Sequence, residues 1–375
     1  LVTGACTTLL GVLYAMVRNN LKRLLAYSSI ENVGIILSAL GLSLIFLGTG
    51  HKVIGVLGLI AALYHIIGHA LFKGLLFLGA GAIAHSAHEY DLNNMGGLIR
   101  RMPQTALFML IGCLAIAGLP PLTGFVSEWL TFQVALQAPR LESGVLRTLI
   151  PLTAAMLALS AALAAATFVK VYGIAFLGRA RSRQVRHARE VGLGMRAAMA
   201  LLAIGCIVFG ILPSTIIDVL GAIPKQLIGQ APVSATASGW LWLTPMSAKT
   251  ASYSAPLVLI ALVGIAALGF ALLHVRATRM RRGYPWECGY GEVNTRMQYT
   301  GTAFSQPIHR IFAPVWDLRE QIDEKRHPAQ PQQVQSIRHQ LQALDKSWST
   351  LYEPIGRLVL AGARRIGMLQ TGSIH

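Results

Sequence analysis

Within the stretch Tyr64-His65-Ile66-Ile67-Gly68-His69-Ala70-Leu71-Phe72-Lys73, three titratable side chains recur every fourth residue in an otherwise apolar run. On an α-helix, positions i, i+4 and i+8 fall near one face, so His65, His69 and Lys73 are expected to form a column with steps of about 6 Å. Histidine titrates near neutral pH and a desolvated lysine approaches neutrality, so such a column can pass a proton along. The competing reading is a structural hydrogen-bond network between helices. A metal site is a third option for two histidines at i and i+4. Against it, no glutamate stands between them as in an HExxH zinc helix, and no carboxylate or thiol lies nearby in sequence.

Three more charged residues fall within apolar runs. Glu128 follows Gly118-Leu119-Pro120-Pro121-Leu122-Thr123-Gly124, where two prolines remove amide donors and helix must be interrupted. Irregular backbone at membrane depth is tolerated only where protein or water satisfies it, and an acid beside a broken helix is a recurring ion site in transporters. The alternative for Glu128 is an interfacial glutamate facing headgroups. Glu31, about one turn into a helix read from residue 27, either favours the positive N-terminal dipole or joins the path. Lys170 reads first as a lysine snorkelling to the interface and second as a relay member.

The elements that must hold these residues follow from composition. Over 375 residues, 54% are hydrophobic and only 13% charged, with a mean hydropathy of +0.56. A soluble domain carries roughly a quarter charged residues, so the chain reads as all-α, a polytopic membrane helix bundle. The net charge of +17 does not indicate nucleic acid, because the Lys and Arg residues cluster at the ends of apolar runs, where they anchor helices and set topology. Cys6, Cys113, Cys206 and Cys288 are scattered without metal-ligand or disulfide spacing, and the sequence calls for no metal and no cofactor. No nucleophile stands beside a base, so no catalytic site or redox centre is expected.

Apolar runs of about 20 residues cross a ~30 Å core, and about eight segments are expected, near residues 1–17, 27–47, 53–84, 102–119, 121–137, 149–177, 195–212 and 256–274. Residues 19–29 read as a basic interfacial loop. Residues 1–215 form the expected transmembrane domain, 216–253 an inter-helix loop, 254–276 a last transmembrane helix, and 277–375 a basic, mostly helical cytoplasmic tail. With eight crossings, Lys52, the loop 179–196 and residues 276–282 share one side with eleven Lys/Arg, against nine on the other. That small margin favours a cytoplasmic tail. The chain starts on Leu1 inside an apolar run and stops at Gly372-Ser373-Ile374-His375 without a terminal signature. It reads as part of a longer chain.

Three stretches carry a resemblance: Leu21-Lys22-Arg23-Leu24-Leu25-Ala26-Tyr27-Ser28-Ser29, residues 65–77, and Gly118-Leu119-Pro120-Pro121 through Glu128. In order and spacing they resemble the antiporter-like subunits of proton-pumping oxidoreductases, a family that includes large membrane subunits of complex I, Mrp antiporters and the hydrogenase-4/formate hydrogenlyase membrane subunit. Ser29-Ile30-Glu31-Asn32-Val33-Gly34, Trp286-Glu287-Cys288-Gly289-Tyr290, Thr295-Arg296-Met297-Gln298-Tyr299-Thr300 and Phe304-Ser305-Gln306-Pro307 are similar to the hydrogenase-4 type. The resemblance implies two linked half-channels, with His65, His69 and Lys73 in the connecting axis and Glu128 on the exit side. It implies that this chain holds the second half-channel, without the glutamate and lysine of the first repeat and without a final membrane helix.

The implied function is proton translocation, coupled to electron transfer in partners: other membrane subunits and a peripheral hydrogenase or dehydrogenase module. The implied location is a bacterial inner membrane. The alternatives are an Mrp-type cation/proton antiporter subunit and a membrane anchor without transport, although buried charges in a mere anchor would be a cost without return.

Overall fold

The computed structural model describes residues 1–230, 235, 239–244, 252–276, 283, 286–289, 291, 293–327, 330–346 and 348–368. Lys249, Arg279, Arg281, Arg282, Tyr290 and the terminal residues 372–375 lie outside the described residues. Two compact units divide the chain, Leu1–Phe304 and Ser305–His375.

The first unit is helical. Its elements are α1 (Val2–Val17), α2 (Leu21–Gly48), α3 (Lys52–Ala87), α4 (Pro103–Ile116), α5 (Thr123–Ala135), α6 (Gly144–Phe176), the short α7 (Arg183–His187), α8 (Leu193–Ile211), α9 (Pro213–Leu220), α10 (Ala222–Ile228) and α11 (Ala255–Arg276). Helices α2, α3, α6, α8 and α11 are long and apolar enough to cross a membrane, and α1 and α4 are shorter apolar helices. At 36 residues, α3 is about 54 Å long and must tilt within a ~30 Å core.

All eight apolar segments are helices, but α4 and α5 share one crossing. Neither half, 14 and 13 residues long, reaches across ~30 Å at 1.5 Å per residue. The break between them depends on two glycines. Gly118 takes φ +62°, the left-handed region open to glycine. A Cβ on Gly124 would stand 2.0 Å from the Ala115 carbonyl oxygen, so the two half-helices meet closer than any other residue allows.

This shared crossing changes which loops lie together. Leu21 N donates to Tyr90 O at 2.8 Å and Gly97 N to Leu177 O at 2.8 Å, while Arg181 reaches Asn93 O and the Gln298 and Tyr299 carbonyls. Glu190 accepts from the Gln104 and Thr105 amides. The turns after α1, α3 and α6, with residues 293–302, therefore gather at one arginine-rich end. Lys52 lies at the opposite end. The side count read from sequence is corrected accordingly, because eight separate crossings would place residues 18–23 and 100–101 with Lys225 and away from the loop 179–196.

Helix α2 also begins earlier than residue 27. Asn20 caps it, its side chain accepting from Arg23 N at 3.1 Å, so most of the expected interfacial loop 19–29 is helix. Glu31 is consequently about three turns inside, too deep for the N-terminal dipole to account for it. α1 and α2 pack closely through small residues, as membrane helices do. A Cβ on Gly11 would lie 2.4 Å from Glu31 N.

Two apolar clusters fill the bundle. One, toward the arginine-rich end, includes Leu21, Leu25, Phe72, Met102 and Phe176; the other includes Phe46, Ile60, Tyr64, Val126 and Leu130. Between Leu25 and Ala39 on α2, and between Tyr64 and Phe72 on α3, the buried side chains turn polar. The candidate site lies in that layer.

In the second unit, the strands Asp317–His327 and Gln330–Leu344, called β1 and β2, pair antiparallel, and α13 (Glu353–Gly367) follows. Between the units' sequences runs α12 (Gly301–Ile311). The strand pair is the one departure from helix that no sequence pattern announced, since its residues are mostly charged or amide-bearing without strict alternation.

Candidate proton pathway

Helix α2 runs antiparallel to α3, so its residues 25, 28 and 32, on one face by their spacing, meet Lys73 and His65 in turn. Lys73 is 5% exposed. Its Nζ donates to the Leu25 carbonyl at 2.8 Å and to the Ser28 hydroxyl. Asn32 Nδ2 donates to the Ser28 carbonyl at 2.7 Å, and Asn32 Oδ1 faces His65 Nε2 at 3.1 Å. On its other side His65 Nδ1 lies 2.8 Å from Ser127 Oγ on α5. A continuous buried polar line thus runs from Lys73 through Ser28, Asn32 and His65 to Ser127, the residue before Glu128.

The structure brings His65 and Lys73 together by way of α2 and leaves His69 aside. His69 stacks edge-on against Phe72 at 5.6 Å between ring centres, and its buried Nε2 has no partner among the described residues.

The pairing around His65 has a specific chemical property. Because Asn32 Oδ1 accepts, Nε2 carries a proton. The Ser127 hydroxyl has two acceptors in reach, His65 Nδ1 and the Gly124 carbonyl at 3.0 Å. When the ring is neutral, Ser127 donates to Nδ1. When Nδ1 is protonated, it donates to Ser127 Oγ and the hydroxyl turns to the Gly124 carbonyl in the first turn of α5. Both charge states of His65 are therefore fully hydrogen-bonded, and one hydroxyl rotation connects them.

Glu128 is partly buried beside the break. Its carboxylate lies so close to Gly118 that a Cβ there would sit 2.8 Å from Oε2. With Ile35, Thr131, Phe132 and Leu157 it lines a cavity of about 10 Å³, at the lower bound for one water. Glu31 is 2% exposed, has a buried Oε2 without a partner among the described residues, and interacts electrostatically with both Lys73 and Glu128. It therefore stands between the two ends of the path.

Lys170 is fully buried, which corrects the snorkelling reading. Its Nζ donates to Met16 O at 2.6 Å and Arg18 O at 2.7 Å, satisfying carbonyls that the end of α1 leaves open. Asp91 adds an electrostatic contact. The neighbouring Arg18 guanidinium lies over the Tyr14 and Tyr27 rings at 5.9 and 5.0 Å.

Sequence reasoning missed Ser28, Asn32 and Ser127. Their signal was present as polar residues in apolar helices, two of them four apart, but small polar side chains in membrane helices usually bond back to their own backbone. Only the register of α2 against α3 distinguishes those that do from those that bridge.

The chain is similar to several known proteins. Residues 1–150 match the family described as NADH:quinone oxidoreductase/Mrp antiporter, TM. Hydrogenase-4 component B of Escherichia coli (strain K12) is 42% identical over 323 residues, covering 85% of this chain and 48% of that protein. Formate hydrogenlyase subunit 3 of the same strain is 34% identical over 327 residues, covering 86% and 51%. The chain thus spans about half the length of these curated relatives. A chain in the structure of the membrane-bound sulfane sulfur reductase (MBS), an archaeal respiratory membrane complex, superposes with a TM-score of 0.66 at 26% identity, over 83% of this chain and 46% of that one. Residues 1–150, which hold α1 to α5 and the whole polar line, are the part of the chain that carries the match to the NADH:quinone oxidoreductase/Mrp antiporter membrane family.

Proposed function

We propose that the chain forms a proton-conducting half-channel of a membrane subunit in a hydrogenase-4-like or NADH:quinone oxidoreductase-like complex. The observation that carries this reading is the buried line from Lys73 through Ser28, Asn32 and His65 to Ser127, ending beside Glu128 at a helix break. Proton exchange between His65 Nδ1 and Glu128, with the water-sized cavity beside it, runs through the Ser127 hydroxyl as it rotates, and the protonation state of Lys73 biases that exchange through the hydrogen-bonded Ser28 and Asn32 dipoles, which do not themselves carry the proton. Glu31, in electrostatic reach of both ends, makes the charge on one end sensitive to the other. Electron flow in partner subunits supplies the driving change in charge. The partners are other membrane subunits and a peripheral hydrogenase or dehydrogenase module.

The arginine-rich end carries Arg18, Lys22, Arg23, Arg100, Arg101, Arg179, Arg181, Arg183, Arg186, Arg189 and Arg196, against Lys52, Arg140, Arg147 and Lys225 at the other. Eleven against four supports reading the arginine-rich end and the tail as cytoplasmic in a bacterial inner membrane.

The test is redox-driven acidification in inverted membrane vesicles holding the full-length subunit in its complex. Proton uptake that follows electron transfer and collapses with a protonophore is expected. Sodium-dependent exchange without any redox partner would establish the Mrp-type alternative instead. Ser127→Ala separates conduction from anchoring, because it leaves His65 without its switchable partner. Transport is expected to slow by about tenfold, with the complex intact; an unchanged rate would leave the polar line a structural network.

A further inference from the structure

We propose that a cleft at the arginine-rich end binds the phosphate of an anionic phospholipid headgroup. Residues 97–101, before α4, and 178–186, after α6, enclose a cavity of about 470 Å³ lined by Arg100, Arg101, Arg179 and Arg186 over a floor of Gly97 and Gly178. No carboxylate lies within ion-pair distance of these four among the described residues, where the one ion pair is Arg319 with Asp317. Four guanidiniums around one cavity, with no ion-pair partner among the described residues, suit an anion, and guanidinium pairs with phosphate through two parallel hydrogen bonds.

The cleft is built rather than an accident of loose loops. Gly97 N donates to Leu177 O at 2.8 Å. The Gln298 side chain clamps the Arg179 backbone from both sides, accepting from its amide at 3.0 Å and donating to its carbonyl at 2.8 Å. The Arg179 guanidinium donates to Val293 O.

Depth and surroundings favour a lipid over a soluble phosphate. Arg100 and Arg101 stand three and two residues before Pro103, the first residue of α4, and Arg179 stands three past Phe176, the last of α6. That is the headgroup level of a membrane. Ile99 and Leu177, next to the cleft in sequence, are 38% and 47% exposed and are suited to meet acyl chains below the phosphate.

The experiment places the full-length subunit, in its complex, in phosphatidylcholine nanodiscs with roughly one phosphatidylglycerol in five lipids. Phosphatidylglycerol retained per complex after mild delipidation is counted by native mass spectrometry. The triple variant Arg100→Gln, Arg101→Gln, Arg186→Gln is expected to retain about tenfold less, and the Arg→Lys triple variant an intermediate amount, because lysine keeps charge but loses the planar fork. If the triple variant does not assemble, the single Arg186→Gln, on the short α7, carries the comparison. Equal retention by wild type and Gln variants overturns the site. Displacement of the lipid by millimolar inorganic phosphate overturns the lipid as its source and assigns the cleft to a soluble anion. Loss of a partner subunit with lipid retention unchanged would make the surface a protein contact and also overturn the proposal.

Discussion

Lys73→Ala, made in the full-length subunit, is expected to reduce redox-linked proton transport about 100-fold or more, the scale on which a positioned proton-transfer group contributes. The ammonium is the only cationic group on the α2–α3 line, and both of its hydrogen bonds, to the Leu25 carbonyl and Ser28, go to α2. Nothing beside it can substitute. The Leu25 carbonyl belongs to α2's own ladder and still accepts from the Ser28 hydroxyl at 3.1 Å, so removal leaves neither group without a partner. The apolar clusters on either side remain, and the complex is expected to assemble. Lys73→Arg keeps the charge but cannot release a proton at any working pH, so it should transport no better than alanine. The proton-to-electron ratio in vesicles, with co-purification of partner subunits as the assembly control, decides the matter. A normal ratio in Lys73→Ala would end the role assigned to this residue.

Glu128→Gln should have a loss of similar size for a different reason. Glutamine keeps the shape against Gly118 and in the small cavity with Thr131, but it cannot ionise. His65 would then still deliver a proton to Ser127 with no acceptor beyond it. Glu128→Asp retains the ionisable group one methylene shorter, and an intermediate rate is expected. Stopped-flow measurement of proton release from energised vesicles reads the step directly. Wild-type release in Glu128→Gln would place the exit elsewhere, with Glu31, the nearest other acid by its electrostatic contact, as the residue to test next.

Much of this arrangement was legible in the residues alone. Apolar runs identify membrane helices because lipid leaves backbone groups nowhere to bond but within the helix. Gly118 to Gly124 announced the break through two prolines that cannot donate. Lys73, Glu128 and the histidines stood out because charge in an apolar run is costly to place. Helix ends were harder to read. The start of α2 at Leu21 was hidden by Lys22 and Arg23, which read as loop, whereas Asn20 caps a helix whose first turn reaches the interface. Lys170 was misplaced for a related reason, since composition cannot tell a lysine that snorkels out from one that turns in to meet carbonyls.

The sequence by itself determined that the chain is a membrane helix bundle, which residues are protonatable within it, and where one helix breaks. Each of these is local, set by hydropathy, side-chain chemistry or proline geometry over a few turns. Only the tertiary structure decided that α4 and α5 make one crossing, which gathers the arginines at one end, and that His65 and Lys73 are joined by hydrogen bonds through α2 and not through His69. Those facts depend on the antiparallel register of α2 against α3 and on two glycines that let half-helices touch. Contacts between residues far apart in sequence are set by packing, and the pattern along a single helix carries no record of them.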